Sequence, residues 1–506
     1  MRDLCRQVAR RAAEALSLSR PTTPLRAEEA SVLLKYLVAA RIEEDVPMPT
    51  LTTHARSVLR EVCERARELL APVLHADAMA PVLTALWRDP LYCERIIHLA
   101  IEARVSASMA PEVCICPEPR SLNRVERELE GFHHHGVVFA AAPLITHELY
   151  PLIADAATSD SRRGGPFQFN VVSVHGDWLD GGRAQRVLYY EGLRDRFLEC
   201  ALETPLLLHS AQFVALGDEQ TERHRLWAKQ LDAIPLLNNY SASLVADDKA
   251  SSVRRWREHG IDVPRQRLLP PGQHKLAQRF AGKTEELVVK PNTGTEGECV
   301  FLLRGNDTAS LKHRLAACWE WGAAVVEERR DGVVYRDPCS GTYHTLALRL
   351  HVATTIDGQS CAESGYAQIG TDADTPASRG RGGTIIDLEE ALENLVRRRD
   401  GALVTLLPDD RQRIVRAATR AAECLGDVAL VGVDLVLDLG ASSEFRAVVV
   451  EANPRPAGLA HSRFLRSQDN GCERGVSLCM WDRLASLQPP PMDTASVPPG
   501  ASVEVS

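Results

Sequence analysis

Residues 428–459 read VALVGVDLVLDLGASSEFRAVVVEANPRPAGL. Two β-branched apolar runs, Val428–Leu437 and Phe445–Val450, flank a short polar turn, which is the pattern of a β-hairpin. With the turn centred on Ser442–Ser443, Asp434 falls opposite Val450 or Glu451, because 434 and 451 average to 442.5. Directly opposed residues on an antiparallel pair have Cβ atoms roughly 5 Å apart. Two carboxylates that close repel, and a divalent cation between them removes the conflict. Asn453 lies two residues past Glu451, so it shares that face and adds a neutral oxygen. Such a set suits a hard ion, Mg²⁺ above all, which keeps positions open for phosphate oxygens. Pro454 and Pro456 then stop the strand. Taken alone, the acids also fit a solvated surface hairpin. The Glu-x-Asn-Pro-Arg-Pro ending and a second site upstream favour the cation site.

That second site is LVVKPNTGTEGECVFLL, residues 287–303. Leu287–Val289 reads as a strand that delivers Lys290, Pro291–Gly297 as a flexible loop, and Cys299–Leu303 as the return strand. A hairpin whose tip carries Thr293, Gly294, Thr295 and Gly297 can close over phosphates with its backbone N–H groups, while Lys290 adds charge. A plain glycine-containing hairpin fits the same residues.

Between and around these stretches lie supporting elements. Asp247-Asp248-Lys249 opens a helix, and Gly260 is a plausible stop. Ala323–Glu328 is a strand ending in acids, able to hold an adenine edge and a ribose hydroxyl. Thr345–Thr354 alternates, with Arg349 and His351 on the polar face, so Arg349 is a candidate phosphate contact. Ala373–Thr384, with Arg379 and Arg381, reads as a mobile loop that could grip an anion. Leu388–Leu395 and Asp409–Leu425 read as helices.

Residues 1–130 read as a helical region, with Pro111–Pro119 as a linker. His133-His134-His135 suits a metal by composition only, and a loop or strand edge is the expected setting. Residues 131–240 read as a small α/β domain with a partly parallel sheet, containing a helix over Glu191–Leu202 and another over Glu219–Gln230. This part has neither a Gly-x-Gly-x-x-Gly turn nor a Walker A sequence. Residues 488–506, rich in Pro and Ser, are expected to be disordered.

The 506 residues are 45% hydrophobic and 25% charged, enough for two to four domains. A net charge of −9 argues against nucleic acid as the main partner. Arg10-Arg11 and Arg397-Arg398-Arg399 read as solvated helix faces. Thirteen scattered cysteines without a Cys-x-x-Cys pair fit reduced cytoplasmic thiols. The basic N-terminus lacks the apolar core of a signal peptide. No apolar run approaches the ~20 residues that span a membrane, so no membrane partner is expected.

Taken in order, the motifs resemble the ATP-grasp superfamily across residues 241–487. These are the Asp-Lys helix before Gly-Ile-x-Val-Pro, the Val-Val-Lys-Pro strand with its glycine-rich lid, Val-Val-Glu-Glu, a strand carrying Arg, and an Asp strand leading to Glu-x-Asn-Pro-Arg-Pro. The ending EANPRPAGLAHS is similar to that of D-alanine–D-alanine ligases and of purine-pathway carboxylating enzymes of this superfamily. The resemblance implies an α+β fold of two subdomains, 241–325 and 326–487, behind the α/β domain and the helical region. It implies ATP and Mg²⁺ (or Mn²⁺) as cofactors. Lys249 and Lys290 would contact phosphates, the lid residues would cover them, and Glu327 with Glu328 would sit at the adenine hinge. Asp434, Glu451 and Asn453 would bind one or two metal ions, and Arg455 would stabilise a phosphorylated intermediate. The D-alanine ligases carry an arginine two residues before the metal-binding Asp. Here that position is Gly432, so Arg349 or Arg455 must supply the charge. The acid often found after the hinge glycine is also missing, since Val333, Val334 and Tyr335 follow Gly332.

The implied activity is an ADP-forming carboxylate–amine ligase acting on an amino acid or small peptide, in a possible homodimer. Two alternatives share the fold: an enzyme that loads a carrier protein docked on the N-terminal region, and a non-catalytic nucleotide-binding scaffold.

Overall fold

The computed structural model describes residues 112–115, 125, 127, 129, 133–139, 152, 169–191, 196–214, 221–294, 297, 299–355, 357–378, 381–440, 444–456, 458, 459, 462–464, 480, 481 and 484. Of the helical region expected over 1–130, residues 1–111 lie outside these residues, as do the pair Arg10-Arg11 and the tail 488–506. Among them, no helix is long and apolar enough to cross a membrane.

Short β-rich runs build the first sheet, and residues 134–139, 171–175 and 210–213 are buried at every position, as in strands covered on both faces. Its strands are β1 (Glu112–Ile115), β2 (His133–Phe139), β3 (Phe169–His175), β4 (Leu179–Asp180), β5 (Arg183–Glu191), β6 (Arg196–Leu207) and β7 (Ser210–Phe213). They lie in the order β1-β6-β5-β3-β2-β7, with β4 on β5. β2 runs parallel to β3 and β7, and β1 runs parallel to β6. The partly parallel sheet is thus present, and α1 (Thr221–Gln230) follows it.

Three expectations are corrected here. Glu112–Ile115 is a strand against Arg196–Glu199, where a linker was expected. Residues 196–207 form a strand, where a helix over Glu191–Leu202 was expected. Leu198 and Cys200 are buried while Ala201 and Glu203 are exposed, and the run pairs with β5 from Arg183↔Leu207 to Glu191↔Arg196. Pairing and burial override the helix propensity of Leu, Glu and Ala. The histidine run, expected at a loop or strand edge, opens β2 in the sheet interior. His135 is fully buried; its Nδ1 lies 2.8 Å from Ser210 Oγ and its ring meets Trp481 edge-on at 5.0 Å.

Burial pushes the His135 imidazole down from 6.5 to about 3. Between those values the unfolded chain binds a proton that the folded chain does not. Stability from this group is therefore full above pH 6.5 and is lost as the pH falls toward 3, by up to about 1.4 kcal/mol per pH unit. Thermal melting between pH 7.5 and 4.5 checks this. His135→Gln, which keeps a partner for Ser210 and cannot titrate, is expected to flatten the acid-side fall.

Beyond the first sheet come α2 (Tyr240–Asp247), α3 (Lys249–Glu258), β8 (Gln266–Leu269), α4 (His274–Ala281), β9 (Glu286–Pro291), β10 (Phe301–Arg304), α5 (Thr308–Trp319) and β11 (Ala324–Glu328). Strands in the order β10-β9-β11-β8 form an antiparallel sheet. Leu269, Leu287, Val289 and Val326 on that sheet bury Ala277 and Ala281 of α4 and Leu311 and Leu315 of α5. β11 is an inner strand of this sheet, so the first subdomain runs past residue 325 to Glu328, whereas α3, inside the 241–325 expected for it, packs through Val253 and Trp256 into the core of the second subdomain's larger sheet.

Next are β12 (Val333–Arg336), β13 (Tyr343–His344), β14 (Leu346–Thr354), β15 (Ser360–Ile369), β16 (Thr384–Ile386), α6 (Leu388–Glu393), β17 (Leu395–Arg397), α7 (Pro408–Glu423), β18 (Leu430–Leu439), β19 (Phe445–Asn453) and β20 (Arg463–Phe464). The larger sheet is ordered β16-β15-β14-β18-β19, with β20 on β15. α7 starts at a proline, and the Asp410 side chain accepts a bond from Leu407 N–H at 3.0 Å. Its buried Ile414, Ala418, Ala421 and Ala422 recur at helical spacing and cover the sheet. Arg397 and Arg398 are not on a helix: Arg397 ends β17, and Arg398 Nη1 donates to Glu286 Oε1 at 3.0 Å. Met480, Trp481 and Leu484 join Leu430 and Leu459 in the core of the first sheet, so the C-terminal segment returns to the first domain.

Candidate active site

The hairpin β18–β19 carries a bulge. From Leu439↔Phe445 to Leu435↔Val449 the paired numbers keep one register, and between Asp434 and Leu435 that register shifts. Val450 is the extra residue, and Asp434 therefore faces Glu451, with Gly432 opposite Asn453. Asn453 Nδ2 donates to Asp434 Oδ2 at 3.2 Å, which leaves its amide oxygen as a donor of lone pairs.

Each carboxylate is faced by a cation. Arg349 lies directly across from Asp434 on β14. Its Nε and Nη2 donate to Asp434 Oδ1 and Oδ2, both at 2.6 Å. Asp434 and Glu451 hold the buried Arg349 guanidinium well above its ordinary range, against the opposing effect of burial. Gly432 makes room for this arrangement, because a Cβ there would lie 3.3 Å from Arg349 Cδ. Lys249 Nζ lies 3.5 Å from Glu451 Oε1.

Lys249 is the first residue of α3 and is buried. Asp248 caps this helix, accepting from Ser251 N–H at 2.7 Å. Lys249 Nζ also donates to the Gly294 carbonyl in the lid at 2.6 Å. Gly294 has φ 133° and Gly297 has φ 71°, both in the region that favours glycine. A Cβ at Gly297 would lie 2.6 Å from Ser378 Cβ, so the lid tip touches the 373–384 loop. Thr293 is exposed, and Thr295 lies outside the described residues.

The first subdomain supplies the second cation. Lys290 pairs with Glu327 across β9 and β11, Nζ to Oε1 at 2.8 Å, and both are buried. Burial pushes the Glu327 carboxyl up against the pull of Lys290. Its second oxygen, Oε2, is buried with no hydrogen-bond partner, which leaves an acceptor for a ligand donor. Glu328, expected beside it at the hinge, points elsewhere: it accepts from Arg265 Nε at 2.6 Å and pairs with Arg330 at 3.4 Å. Alternation along β11 sends neighbours to opposite faces.

Thus Lys290 and Glu327 on the smaller sheet face a second group, Lys249 at the head of α3 with Glu451, Asp434 and Arg349 on the larger sheet, and the charges of Lys249 and Glu451 act on Glu327. The outer parts of this cluster are placed as follows. Arg455 is buried, and its Nη2 donates to Asp247 Oδ2 at 2.5 Å. Arg381, expected to grip an anion, lies over the Phe301 ring at 5.6 Å, and Arg379 lies outside the described residues. The base of that loop is tied to the hinge, since Arg329 Nη2 donates to the Ala373 carbonyl at 2.6 Å. Arg398 beside Glu286 holds that carboxyl below the usual range.

Sequence reasoning missed Asn292, Arg329 and Arg398. Asn292 stood inside the quoted lid stretch, Arg329 directly follows the strand whose acids Glu327 and Glu328 were singled out, and Arg398 was read only as part of a solvated helix face.

No family model matches the chain, and no curated protein matches it. Among solved structures, it is similar to the VanG D-Ala:D-Ser ligase from Enterococcus faecalis. The identity is 16% over 70% of this chain and 99% of that one, with a TM-score of 0.45. The D-cycloserine synthetase DcsG is 15% identical, with the same coverage and a TM-score of 0.43. The ATP-grasp ligase PsnB, solved with a minimal precursor, is 14% identical over 69% of this chain and 97% of that one, at a TM-score of 0.39.

The donor set fits the implied metal. Among the described residues no group of three His, Cys, Asp or Glu could hold an ion. Two carboxylates and one amide oxygen remain, a set that suits Mg²⁺ and leaves positions for phosphate and water. Arg349 uses one lone pair on each Asp434 oxygen, and a carboxylate has further sites.

Proposed function

We propose that this chain is an ATP-dependent ligase that activates a substrate carboxylate and joins it to an amine. The observation that carries the reading is the convergence of Lys249 and Lys290 with Asp434, Glu451 and Asn453 at the junction of the two subdomains. Phosphoryl transfer needs positioning and charge neutralisation more than covalent help from the protein. Lys249 and Lys290 hold phosphate oxygens, and the open Glu327 Oε2 accepts from the base. Asp434, Glu451 and Asn453 would hold Mg²⁺, which would supply charge neutralisation for the polyphosphate when bound. The lid and the 373–384 loop exclude water, which protects an acylphosphate from hydrolysis. Arg349 and Arg455 supply positive charge beside the reacting groups. The substrates are proposed as a small carboxylate and an amine, an amino acid or short peptide on either side.

The test is phosphate release from ATP·Mg²⁺ with pools of amino acids and small carboxylates. Release of ADP and phosphate that requires a substrate pair is the expected result. ADP formed with a phosphorylated product and no free phosphate would replace the ligase with a kinase.

A further inference from the structure

Asn292 sits between the two lysines and is bonded on every side. It follows Lys290 by two residues and precedes Gly294 by two. Its side chain is buried. Asn292 Nδ2 donates to Asp248 Oδ2 at 2.9 Å, and Asn292 Oδ1 accepts from Ala250 N–H at 2.9 Å. Its carbonyl accepts from Lys249 N–H at 3.1 Å, and its own N–H donates to the Ala323 carbonyl at 2.8 Å. Asp248 meanwhile keeps its other oxygen on Ser251 N–H.

These bonds cross a boundary. Asn292 belongs to the β9–β10 hairpin of the first subdomain, and Ala323 precedes β11 of the same sheet. Asp248, Lys249 and Ala250 belong to the start of α3, which packs with Trp256 under the larger sheet. One side chain thus fixes the spacing between the Lys290 strand and the helix that carries Lys249. The geometry points to Asn292 as a positioning residue that, paired with Asp248, sets both lysines on one polyphosphate. It touches neither phosphate nor metal in this role; it acts through Lys249, Lys290 and the Gly294 carbonyl. The inference rests on the nucleotide reading above.

Donor and acceptor in this pair can be exchanged. Asn292→Asp sets two carboxylates against each other. Asp248→Asn sets two amides against each other while the helix cap also needs the remaining oxygen. The double variant restores one amide and one carboxylate, with acceptors still available for Ala250 and Ser251. The experiment measures binding of ATP·Mg²⁺ and of adenosine to the full chain and the three variants, beside melting curves. Each single variant is expected to lose about 10- to 100-fold in ATP·Mg²⁺ affinity, the worth of one buried charged hydrogen bond. The double variant recovers most of it, and adenosine binding, which needs neither lysine, stays level throughout. A change confined to fold stability would move both ligands together. Should Asn292→Asp not fold, Asp248→Asn against the double variant carries the comparison. Singles that bind ATP·Mg²⁺ like the parent, or a double variant no better than either single, overturn the inference. A parent chain that binds no ATP·Mg²⁺ overturns the nucleotide reading instead.

Discussion

Glu451→Gln is expected to lower substrate-dependent phosphate release by about 10²-fold or more, the scale of losing one preorganised electrostatic stabiliser. The reason lies in the register. The bulge at Val450 sets Glu451 directly opposite Asp434, and these are the two carboxylates in the cluster that a cation can share. Gln keeps the shape and one oxygen but removes the charge that holds the ion. Lys249 keeps its bond to the Gly294 carbonyl, so nucleotide binding without metal should change little. Asp434→Asn should cost at least as much, because it also strips Arg349 of the carboxylate that takes two of its bonds. Assays over a Mg²⁺ titration separate the effects: a weakened site demands more Mg²⁺, whereas a site of no importance keeps the parent's titration. Rates within threefold of the parent in both variants would remove the metal from Asp434 and Glu451.

The hairpin behind this prediction was legible because its information is local. A period-two pattern, a polar turn and two prolines place Asp434, Glu451 and Asn453 on one face without any knowledge of the fold. The bulge itself was not anticipated: the outer pairs are centred on residue 442, and only the shift at Val450 brings Glu451 opposite Asp434. The Lys290 hairpin was legible for the same reason. What failed was non-local. Residues 196–207 have helix-forming composition, and only pairing along β5 makes them a strand. Arg398 looked solvated until Glu286, 112 residues away in sequence, came within reach. The histidine run became interior only once β3 and β7 flanked it. Alternation alone separates Glu328 from Glu327, and the sequence had room for that inference. The role of Asn292 needed Asp248 and Ala250 in place, and no motif spacing could announce that.

Arg349→Ala is expected to destabilise the folded chain strongly. Breaking a fully buried ion pair by removing one partner costs about 3–5 kcal/mol; here each side chain keeps 14% exposure, which places the cost at the lower end. Here the abandoned group is Asp434, which burial already pushes above its ordinary range and which faces a second carboxylate. At about 2–4 °C per kcal/mol for large domains, the expected fall in melting temperature is on the order of 10 °C. The diagnostic part is the response to Mg²⁺. In the parent, Arg349 compensates Asp434 whether or not an ion is bound. In the variant, Lys249 still faces Glu451 but Asp434 has lost its guanidinium, so an ion at Asp434, Glu451 and Asn453 takes over the neutralisation of Asp434, and binding stabilises by mass action, by about 2.7 kcal/mol at a hundredfold excess over Kd. Mg²⁺ should therefore raise the melting temperature of Arg349→Ala more than that of the parent. Arg349→Lys, a point charge that cannot take both Asp434 oxygens in one fork, should fall between them in stability. An equal Mg²⁺ shift in all three proteins would mean that the ion and the guanidinium answer to different carboxylates, and the shared-charge account of the hairpin would fail.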